Sequence, residues 1–413
     1  MTYKKNLFIS IIILSIIIFT GCMNDLSPQG GWADPIISDE KIIIPTKKGE
    51  FVQFDINSNT LNRNWGYKNN NSVGSTYSSP ISIKNDLIGT AYSCRGDDCE
   101  GQIYKIDKKS GLLLWGEDGY QIKTKLIGPI ASKDDEKIYI STSLISDINN
   151  SSEGYFFEFI LDDNYLLESW KLPLNGASWG GVLINESIAY VPTMSGHLYA
   201  IDLSDDIEFI NPEDRILWIF ESKGAIYSSL YIRDNYIYFG DFSNTLYKLN
   251  INNISNNERS NFSTLNSSLG EWQKELDSWI GTPVVIEDEN LFVFSLSGEI
   301  YSLDVETAKT NWKTKIPDGQ IVSSPVLFDR SRGAITERSL AIPSSEKNVY
   351  IISVLDGREL GMFITEDSVV SSPLFYDDRI YLQTDSNEFK WFSSISTNLE
   401  GCIDLDSGGF CGD

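Results

Sequence analysis

The chain is predicted to be all-β: a single β-propeller of about eight four-stranded blades, with seven as the alternative count. Three observations lead there. One phrase recurs along most of the 413 residues. Within each copy, apolar and polar residues alternate with the period of a strand. Most copies open on a Ser-Ser-Pro-like triplet and close on a tryptophan.

The phrase is plainest in GQIYKIDKKSGLLLW, which ends at Trp115, and in GEIYSLDVETAKTNW, from Gly298 to Trp312. GEFVQFDINSNTLNRNW ends at Trp65, and GHLYAIDL begins at Gly196. Weaker copies begin at Gly154, Asn244, Lys347 and Asn387. The eight anchors, from Gly49 to Asn387, lie 52, 53, 42, 48, 54, 49 and 40 residues apart. A period of this size marks stacked copies of one supersecondary unit.

Each element has a local reason. Ile103-Tyr104-Lys105-Ile106-Asp107 reads as a half-buried strand. The glycine before it suits a tight hairpin, where positive φ costs glycine little. Asp107, Asp202, Asp304 and Asn250 end their strands, where such a side chain can cap a turn on its own backbone. An indole follows about eight residues later, at Trp65, Trp115, Trp170, Trp218, Trp272 and Trp312; Gly361 and Gly401 hold that slot in the last two copies. A second β-rich run, such as Lys137-Ile138-Tyr139-Ile140, precedes the hairpin glycine. Before it comes the opener: Ser78-Ser79-Pro80, Ser323-Ser324-Pro325, Ser371-Ser372-Pro373, or the relatives Gly281-Thr282-Pro283 and Tyr227-Ser228-Ser229. Trp32-Ala33-Asp34-Pro35 serves as the first opener. Four short strands per copy, repeated radially, make a propeller.

These motifs resemble the PQQ-like β-propeller repeat over residues 31–395. Trp-Asp dipeptides, the mark of WD-type blades, are absent. Under this resemblance the slot tryptophans are wedges between neighbouring blades, as large buried aromatics usually are.

The chain divides into a lipoprotein signal peptide at 1–21, a linker at 22–30, the propeller at 31–395 and a C-terminal closing segment with a disulfide loop at 396–413. Lys4 and Lys5, the apolar run Leu7–Thr20 and Gly21-Cys22 have the form of an export signal. Phe19-Thr20-Gly21-Cys22 resembles a bacterial lipobox, which makes Cys22 the lipidated residue. Cys94 with Cys99, and Cys402 with Cys411, are the simplest of three possible pairings, and such small disulfide loops suit an oxidising compartment. Loss of residues 1–21 takes away two lysines and no acid, so 31 basic residues face 58 acidic ones and the charge is −27. Nucleic acid and anionic headgroups are thereby repelled.

Little points to chemistry. The one histidine, His197, stands beside a hairpin glycine. The chain lacks a phosphate-cradling loop and a dinucleotide fingerprint, and it offers no recognisable metal site. Quinoprotein dehydrogenases share the blade, but they stack the quinone on a disulfide of adjacent cysteines, and no two cysteines are adjacent here. The expectation is no catalysis, no cofactor and no metal.

Function is expected where the copies differ. If strands run A to D outward, B–C turns and D–A links share a face. The Cys94–Cys99 loop and Ser146–Glu153 are B–C insertions. They are expected to form one acidic protrusion with Asp97, Asp98, Glu100, Asp147 and Glu153. Leu203–Asp214, Asn252–Gly270 and Arg330–Arg338 map to the opposite face. Trp32, Tyr77, Trp179, Tyr227 and Trp279 all lie in D–A links and are predicted to ring one mouth of the channel. The reading is a non-catalytic, lipid-anchored envelope scaffold that binds a protein partner. Lipobox, short linker and eight blades are similar to the propeller lipoproteins of outer-membrane β-barrel assembly. The alternatives are an extracytoplasmic glycan or small-molecule binding or sensory module and, less favoured, a quinoprotein enzyme.

Overall fold

The computed structural model describes residues 33–66, 75–95, 98–116, 119–143, 154–205, 209–251, 264–265, 271–332, 335–369 and 371–412. Cys22, Trp32, Asp97 and the loop 146–153 lie outside them, so of the predicted acidic protrusion only the stretch with Asp98 and Glu100 is described. No helix among the described residues is long and apolar enough to cross a membrane.

Eight antiparallel sheets follow one another along the chain. Blade 6 shows the plan: Val285–Glu287, Asn290–Phe294, Glu299–Asp304 and Thr310–Lys315 pair in that order as strands A to D. The other blades span 36–62, 81–122, 131–174, 183–221, 231–275, 326–363 and 374–404. Each is one continuous stretch of chain. The last outer strand, Leu399–Asp404, falls inside the segment that the sequence reading set apart as 396–413. Thr264–Leu265, from the blade 5 insertion, adds a fifth, parallel strand to the outer edge of blade 4.

Apolar clusters knit the ring. Ile43 and Phe51 of blade 1 pack with Tyr104 of blade 2, and the pattern continues from pair to pair. The last cluster joins Phe54 of blade 1 to Tyr381, Phe389 and Trp391 of blade 8. Its Phe54 and Trp391 rings lie 5.1 Å apart. Among the described residues no sheet is shared between the two ends of the chain, and side chains join the first and last blades. Ser372 N–H donates to Asp34 Oδ1 at 2.5 Å, and Lys47 pairs with Asp385.

The predicted half-burial of the strands needs correction. In Lys41–Pro45 and Asn290–Phe294, every residue after the first is buried. The inner strands are covered on both faces because each blade is sandwiched between two others. Alternation survives on the outer strands, as in Thr310–Lys315. Polar positions of the repeat are therefore interior: Lys248 and Ser302 are fully buried. A buried ammonium needs a partner. Lys248 Nζ donates to the Val305 carbonyl at 3.3 Å and meets Glu306 at 2.9 Å.

The slot tryptophans bridge neighbouring blades. Trp65, Trp115, Trp272 and Trp312 donate their indole N–H to the carbonyls of Lys108, Asp162, Val305 and Val354 in the next blade. The bonds are 2.9, 3.3, 3.3 and 3.1 Å long. Trp170 differs: its indole N–H has no partner among the described residues, and the Arg215 guanidinium lies 4.5 Å from its ring.

Candidate functional site

The openers form the site. A cavity of about 120 Å³ is lined by Asp34, Ser79, Pro129, Trp179, Tyr227, Thr282, Ser324 and Ser372. These residues stand one in the link that enters each blade, so the cavity lies on the propeller axis. Hydrogen bonds run between adjacent openers. Ser324 N–H donates to Ser372 Oγ at 3.0 Å, Ser372 N–H to Asp34 Oδ1, and Asp34 N–H to Ser79 Oγ at 3.0 Å.

Backbone bonds place the B–C turns on the same face. Met194, Phe242 and Leu296 each donate from a B–C turn, and Tyr92 from the lengthened B strand of blade 2, to a D–A link carbonyl, on Ala177, Ala225, Trp279 and Ser75 in turn. This pattern frames the mouth with two kinds of residue rather than one.

The predicted aromatics fall into two groups. Tyr77 is buried and stacks on Tyr92 at 4.9 Å. Trp179 meets Tyr227 edge-on at 5.7 Å, Tyr227 stacks on Phe242 at 5.4 Å, and Phe242 stacks on Trp279 at 5.0 Å. Trp279, the outermost, is 42% exposed. Tyr92 and Phe242 are mouth residues that the sequence reading missed. Aligning the B–C turns copy by copy would have found both.

Beside Tyr92 rises a finger. Strands Asp86–Arg95 and Asp98–Asp107 pair over ten residues, against five in the same hairpin of blade 6. Cys94 and Cys99 face each other across it and are disulfide-bonded. Cys402 and Cys411 are bonded at the outer edge of blade 8.

Electrostatics single out Asp34. It is partly accessible from the cavity yet lies deep in the ring. Burial pushes its carboxyl above the ordinary value, and the bonds from Ser372 pull the other way. Burial also pushes up the phenols of Tyr227 and Tyr92, the latter with help from Tyr77.

His197 Nδ1 meets the Ser195 hydroxyl at 2.9 Å. That hydroxyl also reaches the Asn175 carbonyl and Thr193. The one cluster of possible metal donors among the described residues is Glu388 with Cys402 and Cys411. Its sulfurs are tied in a disulfide and lack the thiolate that binds metal.

No family model and no curated protein matches the chain. Solved structures do. Ika8, a computationally designed protein, aligns at 12% identity and a TM-score of 0.58, over 86% of this chain and 94% of that one. BamB from Moraxella catarrhalis aligns at 13% identity and 0.57, over 85% and 91%. Identity this low establishes fold alone. The chain is an eight-bladed β-propeller, the fold implied by the repeats that it resembles.

Proposed function

We propose that the chain is a non-catalytic propeller of the cell envelope, held by a lipid on Cys22, that docks a protein partner on its mouth face. The ladder from Trp179 through Tyr227 and Phe242 to Trp279 supports this best. Aromatic residues are enriched in protein interfaces. Here stacking already fixes the exposed ring, so little side-chain entropy is lost when a partner settles on it. The disulfide-closed finger stands on the same face. The net charge of −27, from 31 basic and 58 acidic residues after residues 1–21 are removed, favours a basic partner and fast encounter.

A place in outer-membrane protein assembly is the finer form of this reading. It is supported by the resemblance of lipobox, linker and blades to that machinery's propeller lipoproteins, and by the fold likeness to BamB. Affinity capture from detergent-solubilised envelope tests the docking. Wild type should retain a partner that Phe242→Ala and Trp279→Ala lose. Equal retention by all three would sink the docking reading, and retained glycan in place of protein would turn it toward a sugar-binding module. Cys22→Ser should abolish acyl labelling and release the protein from membranes. Labelling that persists would end the anchor.

A further inference from the structure

The axial cavity has a chemistry of its own. Asp34 is the only charged residue in its lining, and no lysine or arginine pairs with Asp34 among the described residues. Three buried hydroxyls on lining residues, those of Ser228, Thr282 and Ser323, have no hydrogen-bond partner among the described residues. They are 4, 2 and 8% exposed. Buried hydroxyls are normally satisfied, and these three belong to residues that line one cavity. The rings of Tyr77, Trp179 and Tyr227 complete the wall.

We infer that the cavity is a binding site for the primary ammonium group of a small organic amine. A carboxylate without a counter-charge asks for a cation. Hydroxyl oxygens accept hydrogen bonds, and a primary ammonium brings three donors. Aromatic faces attract ammonium groups through the ring quadrupole. A divalent metal fits less well, because calcium takes six to eight oxygens, several of them carboxylate, and magnesium is equally hard. A cavity of about 120 Å³ has the volume of about four waters, room for a head group and a short chain. The acidic surface raises the local cation concentration at such a mouth. This site does not depend on the protein partner: either can fail while the other stands.

Calorimetry on the detergent-solubilised mature lipoprotein, in an amine-free phosphate buffer, tests it. The probes are propylammonium chloride, 1-propanol as the neutral match, tetramethylammonium chloride and calcium chloride. Propylammonium should bind with a dissociation constant of the order of 1 mM, as suits four heavy atoms, and 1-propanol should give no heat. Asp34→Asn keeps the shape and an acceptor for the Ser372 amide, and should weaken binding at least about tenfold, as one lost charge-assisted contact does. Thr282→Val removes one orphan hydroxyl without touching the ring closure and should weaken binding about threefold. The inference is overturned by silence with propylammonium, by equal affinity for propanol, by tighter binding of tetramethylammonium or calcium, or by variants that bind as wild type does.

Discussion

Arg330 occupies, in blade 7, the place that an indole holds in the earlier blades. Its guanidinium lies 4.0 Å from where a Cβ on Gly361 would stand. It is 3% exposed and donates to the Leu360 carbonyl at 3.0 Å and the Ile395 carbonyl of blade 8 at 3.5 Å. A tryptophan N–H reaching the next blade and an arginine N–H reaching the next blade solve one problem, because an interblade carbonyl buried without a donor is costly. Arg330→Met should therefore destabilise the protein by roughly 2–4 kcal/mol, the range for removing a buried charged donor. Urea unfolding measures it, and a loss under about 0.5 kcal/mol would show that the Leu360 and Ile395 carbonyls do not need this donor.

The indole wedges should matter more than the mouth. Trp65→Ala or Trp218→Ala, at 2 and 1% exposure, should cost roughly 3–5 kcal/mol, the usual range for emptying a packed aromatic site. Trp279→Ala, at 42% exposure, should cost about 1 kcal/mol, near the value of one aromatic pair. Comparable losses at all three positions would contradict the assignment of wedge and rim.

Gly401 fills the slot in blade 8 for a different reason. A Cβ there would come within 2.0 Å of the Trp391 ring, which packs on Phe54 and closes the ring. The indole sits one strand inward and takes the wedge volume. Gly401→Ala should overpack this seam and cost about 1–3 kcal/mol. A neutral result by urea unfolding would mean that Trp391 can move aside.

Legibility in the sequence followed repetition. Hairpin glycines, strand-closing aspartates and slot indoles could be read because each copy repeats them, and their spacing counted the blades. Arg330 occurs once, at the start of what reads as an insertion, so no periodicity points to it. The buried Lys248 looks like an exposed strand position because period two shows which residues share a face, not whether both faces are covered. Tyr77, Trp179, Tyr227 and Trp279 were legible as link residues. Their division into a pair and a ladder was not, since it depends on Tyr92, in a strand extension, and Phe242, in a turn, and neither belongs to a repeated motif. Nothing in the sequence marks Asp34 beyond its place in an opener, because its partner Ser372 lies at the far end of the chain.

Two aspartates should titrate in opposite senses. Thr307 donates to Asp304 through its amide at 2.7 Å and its hydroxyl at 2.6 Å, which holds the carboxyl below its ordinary 3.8. The stabilisation is present above that value and is lost as pH falls through the lowered one. Asp304→Ala should thus lower the Tm at pH 7, with a deficit that shrinks in acid. Asp34 is raised above 3.8 by burial. Its contribution is complete below 3.8 and is lost as pH rises through the raised value. Asp34→Asn should therefore gain on wild type as pH climbs through that window and show no gain at pH 3. Calorimetric melting from pH 3 to pH 7 measures both, and parallel slopes would contradict both assignments.

Phe242 holds the ladder together, because it stacks on Tyr227 on one side and Trp279 on the other. If the partner rests on Trp279, removing Phe242 should unseat that contact from beneath. The two truncations should then be non-additive in partner binding. Phe242→Ala alone should lose most of what the double variant loses, with a coupling of about 0.5–1.5 kcal/mol, the range for one aromatic pair. Stability should respond little, because Trp279 stands on the rim and Phe242 is half-buried. For a chain of this length, a loss near 1 kcal/mol moves the Tm by about 2 °C. A Tm that collapses in Phe242→Ala would make the ladder part of the core and remove the support for docking. Additive binding losses with a steady Tm would place the partner on Phe242 and Trp279 independently, and the ladder would no longer be a preformed platform.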